Sequence, residues 1–196
     1  MEQNSSPSSV PFSSSLAGHL LVATPQMTDE RFQHKAIFMC QHDDKAAMGL
    51  IINQPSSEYS LHHLTEKLEI DAPRFQPDDP IYIGGPVEPQ RGYILHSDDQ
   101  MMPDSIPVTE QICLCLHVDM ISEISQGIGP VFSKIMLGYA GWAAGQLEAE
   151  LKENMWFHLP ATSEMVFATD DSDIWAQSFN RLGITAGSLS SQSGTA

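Results

Sequence analysis

One glycine-marked segment, from Ile135 to Glu150, constrains the fold of this chain more than any other stretch. It begins as an apolar run, passes through Gly138, Gly141 and Gly145, and ends with the polar edge of a helix. Glycine is favoured where a backbone bends sharply or where another group approaches it closely. The segment therefore predicts a buried strand, a close-approach turn at the glycines and the start of a helix.

A second glycine-marked segment, from Gly84 to Ser97, predicts a hairpin in which two strands are joined by a tight turn. Polar residues stand next to the strand ends of both segments, and polar groups in such places often line a pocket. We therefore expect the two segments to share one surface, and that surface is the predicted position of a functional site.

The rest of the chain predicts a single domain in which strands and helices alternate. Short apolar runs predict further strands at Leu20–Ala23, Lys35–Gln41, Met48–Asn53, Ile112–His117, Trp156–Phe157 and Val166–Ala168. Apolar residues at helical spacing predict helices over Ser60–Leu68, Val118–Gly127 and Asp173–Leu182, with Ser60 as an N-cap. The predicted fold is α/β (α+β): a single compact domain with a mixed β-sheet core and flanking helices.

The ends of the chain differ in composition from its centre. Residues 1–15 are rich in serine and proline and offer little apolar surface, so we expect a disordered tail. Residues 16–190 form the predicted domain, and 191–196 are expected to be a flexible C-terminal tail. A chain of 196 residues suffices for one well-buried core but not for two comfortable domains.

The charge of the chain argues against direct nucleic-acid binding. The formal net charge is -16, and the nine lysines and arginines are dispersed along the sequence. Nucleic-acid binding depends on clustered basic groups that neutralise phosphates, so we expect no direct binding to DNA. The sequence contains neither a membrane-length apolar run nor a signal peptide, and its three cysteines fit a reducing compartment. We therefore expect a cytoplasmic protein that does not bind membranes.

Cys113, Cys115 and His117 alternate along one predicted strand and could offer sulfur and nitrogen to a soft metal. Ile112, Leu114 and Leu116 occupy the other face, which indicates a strand buried on both faces. Buried free cysteines are common, and no fourth ligand stands nearby, so a packing role is the preferred interpretation. We predict neither a metal nor a cofactor.

Five polar residues stand at a strand end or beside a glycine: Asn53, Glu88, Arg91, His96 and Gln146. Such side chains either satisfy the backbone of a turn or line a pocket. Arg91 is the only base between Arg74 and Lys134, so it could attract an anion, or it could simply pair with Glu88. His96 adds a group that can change protonation near neutral pH.

The predicted ligand-binding set is completed by Gly138, Gly141 and Trp142. The glycines match neither a dinucleotide-binding fingerprint nor a P-loop, so they indicate either an anion site at a helix start or close packing of helix on sheet. Two functions stay open. The preferred one is a non-catalytic module that binds a partner protein or a small ligand. The alternative is an enzyme acting on a small anionic substrate where Arg91 and His96 converge with the predicted turn.

Several long motifs in a fixed order resemble the AlgH/YqgE family of bacterial proteins. They are LAGHLLVATPQM with Arg31 and Phe32, AMGLIINQP, GGPVEPQRGYILHS, LGYAGWAAGQLEAEL with Asn154 and Trp156, and Asp173–Trp175 before LGI. The resemblance extends from about Leu16 to Leu189 and implies one compact α/β domain with a β-sheet core. It also implies a regulatory role, since members are labelled transcriptional regulators. Without a basic patch, we expect that role to be indirect.

Overall fold

The computed structural model describes residues 15–77 and 79–184. The tail predicted at residues 1–15 lies outside the described residues except for Ser15, and the tail predicted at 191–196 lies outside them entirely. The described strands are β1 (His19–Ala23), β2 (Ala36–His42), β3 (Ala46–Ile51), β4 (Pro55–Ser60), β5 (Pro80–Ile83), β6 (Val87–Ser97), β7 (Ile106–Pro107), β8 (Ile112–Cys115), β9 (Ser133–Ala143) and β10 (Trp156–Pro160). The α-helices are α1 (Leu61–Lys67), α2 (Asp119–Gln126), α3 (Gln146–Lys152) and α4 (Asp171–Arg181).

The described strands form one mixed sheet in the order β10-β1-β2-β3-β9-β6-β8-β7. Neighbours along this path are antiparallel, whereas β5 runs parallel to β9 and also pairs with β4. One edge of β9 is covered by β6, and the other edge is shared between β5 and β3. The mixed sheet with flanking helices confirms the predicted fold class.

The connection from β5 to β6 crosses over β9. This crossing corrects the predictions made for the two glycine-marked segments. Because β5 and β6 pair with opposite edges of β9, the segment Gly84–Ser97 is not a hairpin. Gly138 and Gly141 lie inside the continuous strand β9, and only Gly145 lies in a turn. A Cβ on Gly85 would overlap the backbone of Tyr139, and one on Gly138, whose φ is 71°, would overlap the carbonyl oxygen of Gly85. The close approach was predicted correctly, but it is a strand crossing.

Helices cover both faces of the sheet. On one face, Ile174 and Phe179 of α4 pack on Phe38 and Leu50. On the other face, Leu147 of α3 packs within a cluster built from β1, β2, β9 and β10. Full burial of a side chain such as Phe179 stabilises the fold by about 1.5–3 kcal/mol, so these contacts hold the helices against the sheet. Among the described residues, no helix is long and apolar enough to cross a membrane.

The three predicted helices are confirmed, and one predicted strand is wrong. Ser60 caps α1 by accepting a hydrogen bond from the backbone N–H of His63, and Gly127 ends α2 with φ 73°. The run Val166–Ala168 lies in a π-helical turn that spans Glu164–Ala168. A short apolar run is equally compatible with a buried strand and a buried helical turn, and here the run packs beneath α4 without a strand partner among the described residues.

Candidate binding site

A concave surface runs along the C-terminal half of β9, where the start of β6 and helix α3 flank the strand. It contains two depressions of about 340 and about 570 Å³, which share Val87, Gly141 and Trp142. We call the smaller one the indole pocket; its walls include Phe32, Trp142 and Trp156, with Glu150 and Gln146 beside them. We call the larger one the Arg91 groove; it is lined by Glu88, Arg91, Tyr93 and Tyr139 among others.

Local sequence places the polar groups of the indole pocket. Gly145 adopts φ 75°, which lets the chain leave β9 and begin α3 within two residues. Residues four apart on a helix lie on the same face, so Gln146 and Glu150 point in a common direction. Trp142, near the end of β9, and Trp156, at the start of β10, bring their indole rings to that helix face.

The carboxylate of Glu150 is held by three side-chain donors. Its Oε2 accepts hydrogen bonds from Nε1 of Trp142 and Nε1 of Trp156, both at 2.8 Å. Its Oε1 accepts a hydrogen bond of 2.9 Å from Nε2 of Gln146. The other end of the Gln146 amide accepts from the backbone N–H of Ala143 at 3.1 Å, so the amide is itself fixed. The carboxylate is therefore oriented before any ligand arrives.

The aromatic walls of the indole pocket stand nearly at right angles to one another. The rings of Trp142 and Trp156 are 6.1 Å apart at 79°, and those of Phe32 and Trp156 are 5.7 Å apart at 69°. Arg31 lies over Phe32, with its guanidinium carbon 5.5 Å from the ring centroid, and pairs with Asp29 at 2.6 Å. Hydrogen bonding to Arg31 lowers the pKa of Asp29. The arrangement is a corner of aromatic rings with charged groups at its rim.

In the Arg91 groove, the basic group is already paired. Nη1 of Arg91 lies 3.0 Å from Oε2 of Glu88, and the hydroxyl of Tyr93 donates to the same oxygen at 3.3 Å. The guanidinium also lies over the Tyr93 ring at 5.6 Å. Both charged side chains are about half exposed, so water screens the pair and it contributes little to stability. Pairing with Glu88, one of the two roles open for Arg91, is therefore observed.

The structure does not bring His96 to Arg91. His96 is fully buried, and its Nδ1 lies 2.8 Å from the carbonyl oxygen of Ser97. A carbonyl oxygen only accepts, so Nδ1 carries the proton, and Nε2 lies 3.0 Å from Oγ of Ser105. Both ring nitrogens are thus engaged inside the protein. The expected convergence of Arg91 and His96 at one site is wrong, because His96 lines neither depression.

Of the eight predicted residues, five lie together along the two depressions: Glu88, Arg91, Gly141, Trp142 and Gln146. Asn53, His96 and Gly138 do not. The side chain of Asn53 accepts from the backbone N–H of Ala36 and donates to the carbonyl of His34, both at 3.0 Å, so it satisfies the backbone at the start of β2.

Sequence analysis missed four residues that shape the indole pocket: Asp29, Phe32, Glu150 and Trp156. Glu150 carried a signal, since it stands four residues after Gln146 on a predicted helix. Phe32 and Trp156 belong to conspicuous motifs of the sequence. Nothing local in the sequence shows that these residues meet Trp142, because they are distant from it along the chain.

Cys113 and Cys115 lie on β8 and His117 lies beyond its end; none of the three lines either depression. Cys113 and Cys115 are buried free cysteines, and burial raises the pKa of the Cys113 thiol. Within the described part of the chain, no three His, Cys, Asp or Glu side chains are grouped so that they could hold a metal ion.

Comparisons with known proteins agree on one family. The AlgH-like family model matches residues 20–187. A UPF0301 protein of Afipia carboxidovorans is 42% identical over 189 residues, which cover 92% of this chain and 90% of the relative. A UPF0301 protein of Rhizobium etli is 40% identical over 185 residues, covering 91% and 92% of the two chains.

Two solved structures share the fold. The solution structure of the AlgH protein from Pseudomonas aeruginosa matches with a TM-score of 0.75 and 35% identity over 100% of both chains. A crystal structure of a protein from Corynebacterium diphtheriae matches with a TM-score of 0.73 over 97% of this chain and 95% of that one; at 22% identity it speaks for the fold alone. With the match of the family model and the identity of the relatives, the chain belongs to the AlgH-like family.

Proposed function

We propose that this protein is a non-catalytic binding module that takes a partner protein or a small ligand at the indole pocket. The observation that carries the proposal is the Glu150 carboxylate, fixed by three N–H donors beside a corner of aromatic rings. Binding is strengthened when polar groups are already oriented, because less conformational freedom is lost in the complex. A mostly apolar cleft with a few fixed polar groups is the usual form of a ligand site.

The lining of the indole pocket favours binding over catalysis. The described residues that line it include no serine, cysteine or histidine, and two of its carboxylates are engaged by the protein itself: Glu150 accepts three hydrogen bonds and Asp29 pairs with Arg31. The alternative enzyme would act on a small anion, and its two proposed groups are occupied elsewhere. Arg91 pairs with Glu88, and His96 is enclosed in the core. The geometry therefore supports the binding module better.

We further propose that any regulatory role is indirect and that the protein acts in the cytoplasm. The net charge of -16 supports the first statement, because it opposes contact with phosphates. The free state of Cys40, Cys113 and Cys115 supports a reducing compartment. We expect no tight duplex DNA binding near physiological salt; tight binding that weakens steeply with added salt would contradict this proposal.

The binding role is tested by blocking the surface that the two depressions share. Val87 is exposed and lines both, so Val87→Arg should fill the entrance without disturbing the core. Val131→Arg is the matched control, since Val131 is 73% exposed and lines neither depression. Proteins and metabolites that co-purify with each form are identified by mass spectrometry. We expect a species that is captured by the wild type and Val131→Arg but lost with Val87→Arg; capture that is indifferent to Val87 would refute the proposal.

A further inference from the structure

We infer that the indole pocket binds an organic cation, that is, an ammonium or guanidinium head group on an alkyl stem. This inference rests on the proposed function, because it names the class of ligand for the same pocket. Three features of the pocket lead to it: an excess of negative charge, a corner of aromatic rings and one unused acceptor position on a fixed carboxylate.

The pocket has an excess of negative charge that the protein does not compensate. Its lining holds three carboxylates, those of Asp29, Glu150 and Glu153, against the single guanidinium of Arg31. Arg31 is paired with Asp29. Across residues 15–77 and 79–184, neither Glu150 nor Glu153 has a Lys, Arg or His within ion-pair distance. A cationic head group would supply the missing counter-charge.

The aromatic rings suit the same head group. A cation is attracted to the negative face of an aromatic ring, and Trp is the strongest of the aromatic partners. Phe32 packs edge-to-face on Trp156, and Trp156 packs edge-to-face on Trp142. Trp142 and Trp156 are only 6% and 3% exposed, so the half-buried Phe32 ring offers the accessible face and the two indoles form the floor of the corner. Arg31 already occupies one face of Phe32, which shows that a guanidinium fits against this wall. Quaternary ammonium groups are recognised by cages of this kind.

The free acceptor position on Glu150 indicates where the head group would bind. An ionised carboxylate offers about four lone-pair positions, and three are used by Trp142, Trp156 and Gln146. Oε2 accepts two of these hydrogen bonds and Oε1 only one, so the remaining position is on Oε1. A donor arriving there, either an N–H of the head group or a hydroxyl on its stem, completes the set without displacing a protein group.

The remaining walls fit an alkyl stem. Met27, Met155, Pro86 and Val87 contribute apolar surface to the pocket, and methionine adapts its shape to what it contacts. A volume of about 340 Å³ lies within the range of ordinary small-ligand sites. A head group at Glu150 with its stem along these side chains would therefore be enclosed on several sides.

A purely structural role for Glu150 is the competing explanation, since the carboxylate satisfies two indole N–H groups. That role needs acceptors but no negative charge. Gln at position 150 keeps one acceptor oxygen for the two indole N–H groups and loses only the acceptor that faces Nε2 of Gln146, so its free energy of unfolding is measured beside its binding. Glu150→Gln therefore separates the two. Glu110→Gln is the matched control, because Glu110 is exposed, lines neither depression and loses the same charge.

The experiment titrates the full-length protein with choline and with 3,3-dimethylbutan-1-ol, its uncharged counterpart of the same shape. Two of the three tryptophans line the pocket, so tryptophan emission reports occupancy, and calorimetry checks the result. We expect choline to saturate the signal and the alcohol to bind about tenfold more weakly or less. Glu150→Gln should weaken choline by about tenfold, whereas Glu110→Gln should leave it unchanged.

A second arm identifies the source of the cation. Capped peptides with one central lysine or arginine are compared with the same peptide carrying glutamine. Peptides that bind at least as well as choline indicate a side chain of a partner protein, and choline alone indicates a free small cation. Either result supports an organic cation. If Glu150→Gln weakens the fold, Phe32→Leu gives a second variant that removes one aromatic wall and should also weaken choline.

Three results would overturn the inference: equal binding of choline and the alcohol, no saturable binding by choline or any peptide, or full choline binding by Glu150→Gln. The proposed function fails separately. If capture of a species depends on Val87 while no cation binds, the binding module stands and the cation inference is wrong. If Val87→Arg captures the same species as the wild type, the proposed binding module is wrong, whether or not choline binds.

Discussion

A buried ion pair between Lys134 and Asp171 joins the central strand β9 to the first turn of α4. Nζ of Lys134 lies 2.7 Å from Oδ1 of Asp171, donates to the carbonyl oxygen of Ile52 at 2.8 Å and sits 4.4 Å from the ring centroid of Tyr82. The lysine side chain is only 7% exposed, whereas that of Asp171 is 25% exposed. Water can therefore reach the carboxylate far more easily than the ammonium.

This asymmetry predicts that removing the charge of Asp171 costs more stability than removing the charge of Lys134. Asp171→Asn leaves a buried ammonium without its counter-charge, which costs about 3–5 kcal/mol. Lys134→Met leaves a carboxylate that water can solvate and one carbonyl without its donor, which costs about 1–3 kcal/mol. We therefore expect Asp171→Asn to lower the free energy of unfolding by about 2 kcal/mol more than Lys134→Met does. For a domain of this size, the urea midpoint of Asp171→Asn should then be lower by about 1 M.

The pH dependence of Asp171→Asn gives a second measurement. Burial lowers the pKa of Lys134 from 10.5, although Asp171 opposes the shift. Between the lowered value and 10.5, the unfolded chain binds more protons than the folded one, so stability rises with pH in that window. Without Asp171, the pKa of Lys134 falls further, so the pH range in which stability rises starts at a lower pH. The cost of Asp171→Asn should therefore shrink as pH rises through the lowered pKa of Lys134 in the variant.

The assay is urea unfolding of the wild type, both single variants and the double variant at each pH. The double variant should be close to Lys134→Met, because no uncompensated buried charge remains in it. Equal costs for the two single variants, or a cost of Asp171→Asn that does not fall as pH rises, would refute the reasoning.

Three further predictions concern the crossing, the acid limb and a helix cap. Gly138→Ala should destabilise the fold by about 2–4 kcal/mol in urea unfolding, because its Cβ meets the crossing segment at positive φ, whereas Gly92→Ala, with open space around it, should change stability by less than about 1 kcal/mol. Burial acts to raise the pKa of Glu148, yet backbone hydrogen bonding and His42 hold it below 4.5, so the stability that Glu148 contributes is lost as pH falls through that lowered pKa. Glu148→Gln should flatten this part of the plot of stability against pH, and an unchanged plot would contradict the prediction. Ser60→Ala should cost about 1 kcal/mol of stability through loss of the α1 cap, and an unchanged melting temperature would contradict that expectation.

Local signals predicted the local parts of the fold. The cap at Ser60, the glycine after α2 and the apolar spacing of α4 identified three helices, because each signal acts within a few residues. The strands β2 and β3 were predicted for the same reason. The parallel pairing of β5 with β9 joins residues more than 50 positions apart, and neither strand carries a pattern that names its partner. The crossing could not be predicted without that pairing.

The candidate site was predicted in part for a related reason. A polar side chain at a strand end looks the same in sequence whether it serves a backbone or a ligand. Asn53 and Gln146 illustrate the difficulty. Asn53 bonds two backbone groups, while Gln146 bonds one backbone group and orients a carboxylate. The two residues differ because Gln146 is followed, one helical turn later, by Glu150, which faces the indoles of Trp142 and Trp156.

The glycines that dominate the sequence are connected to the pocket through the crossing of strands. Because Gly85 and Gly138 let the two backbones pass in contact, the chain emerges from the crossing at Pro86 and Val87, on the side of β9 that faces the indole pocket. Gly141 then leaves room for the ring of Tyr139, since a Cβ there would lie 3.0 Å from Cε2 of that ring. The crossing thus supplies one apolar wall, and α3 supplies the carboxylate opposite. A pocket built in this way depends on three segments distant in sequence, which explains why its glycines are conspicuous in sequence while its lining side chains are not.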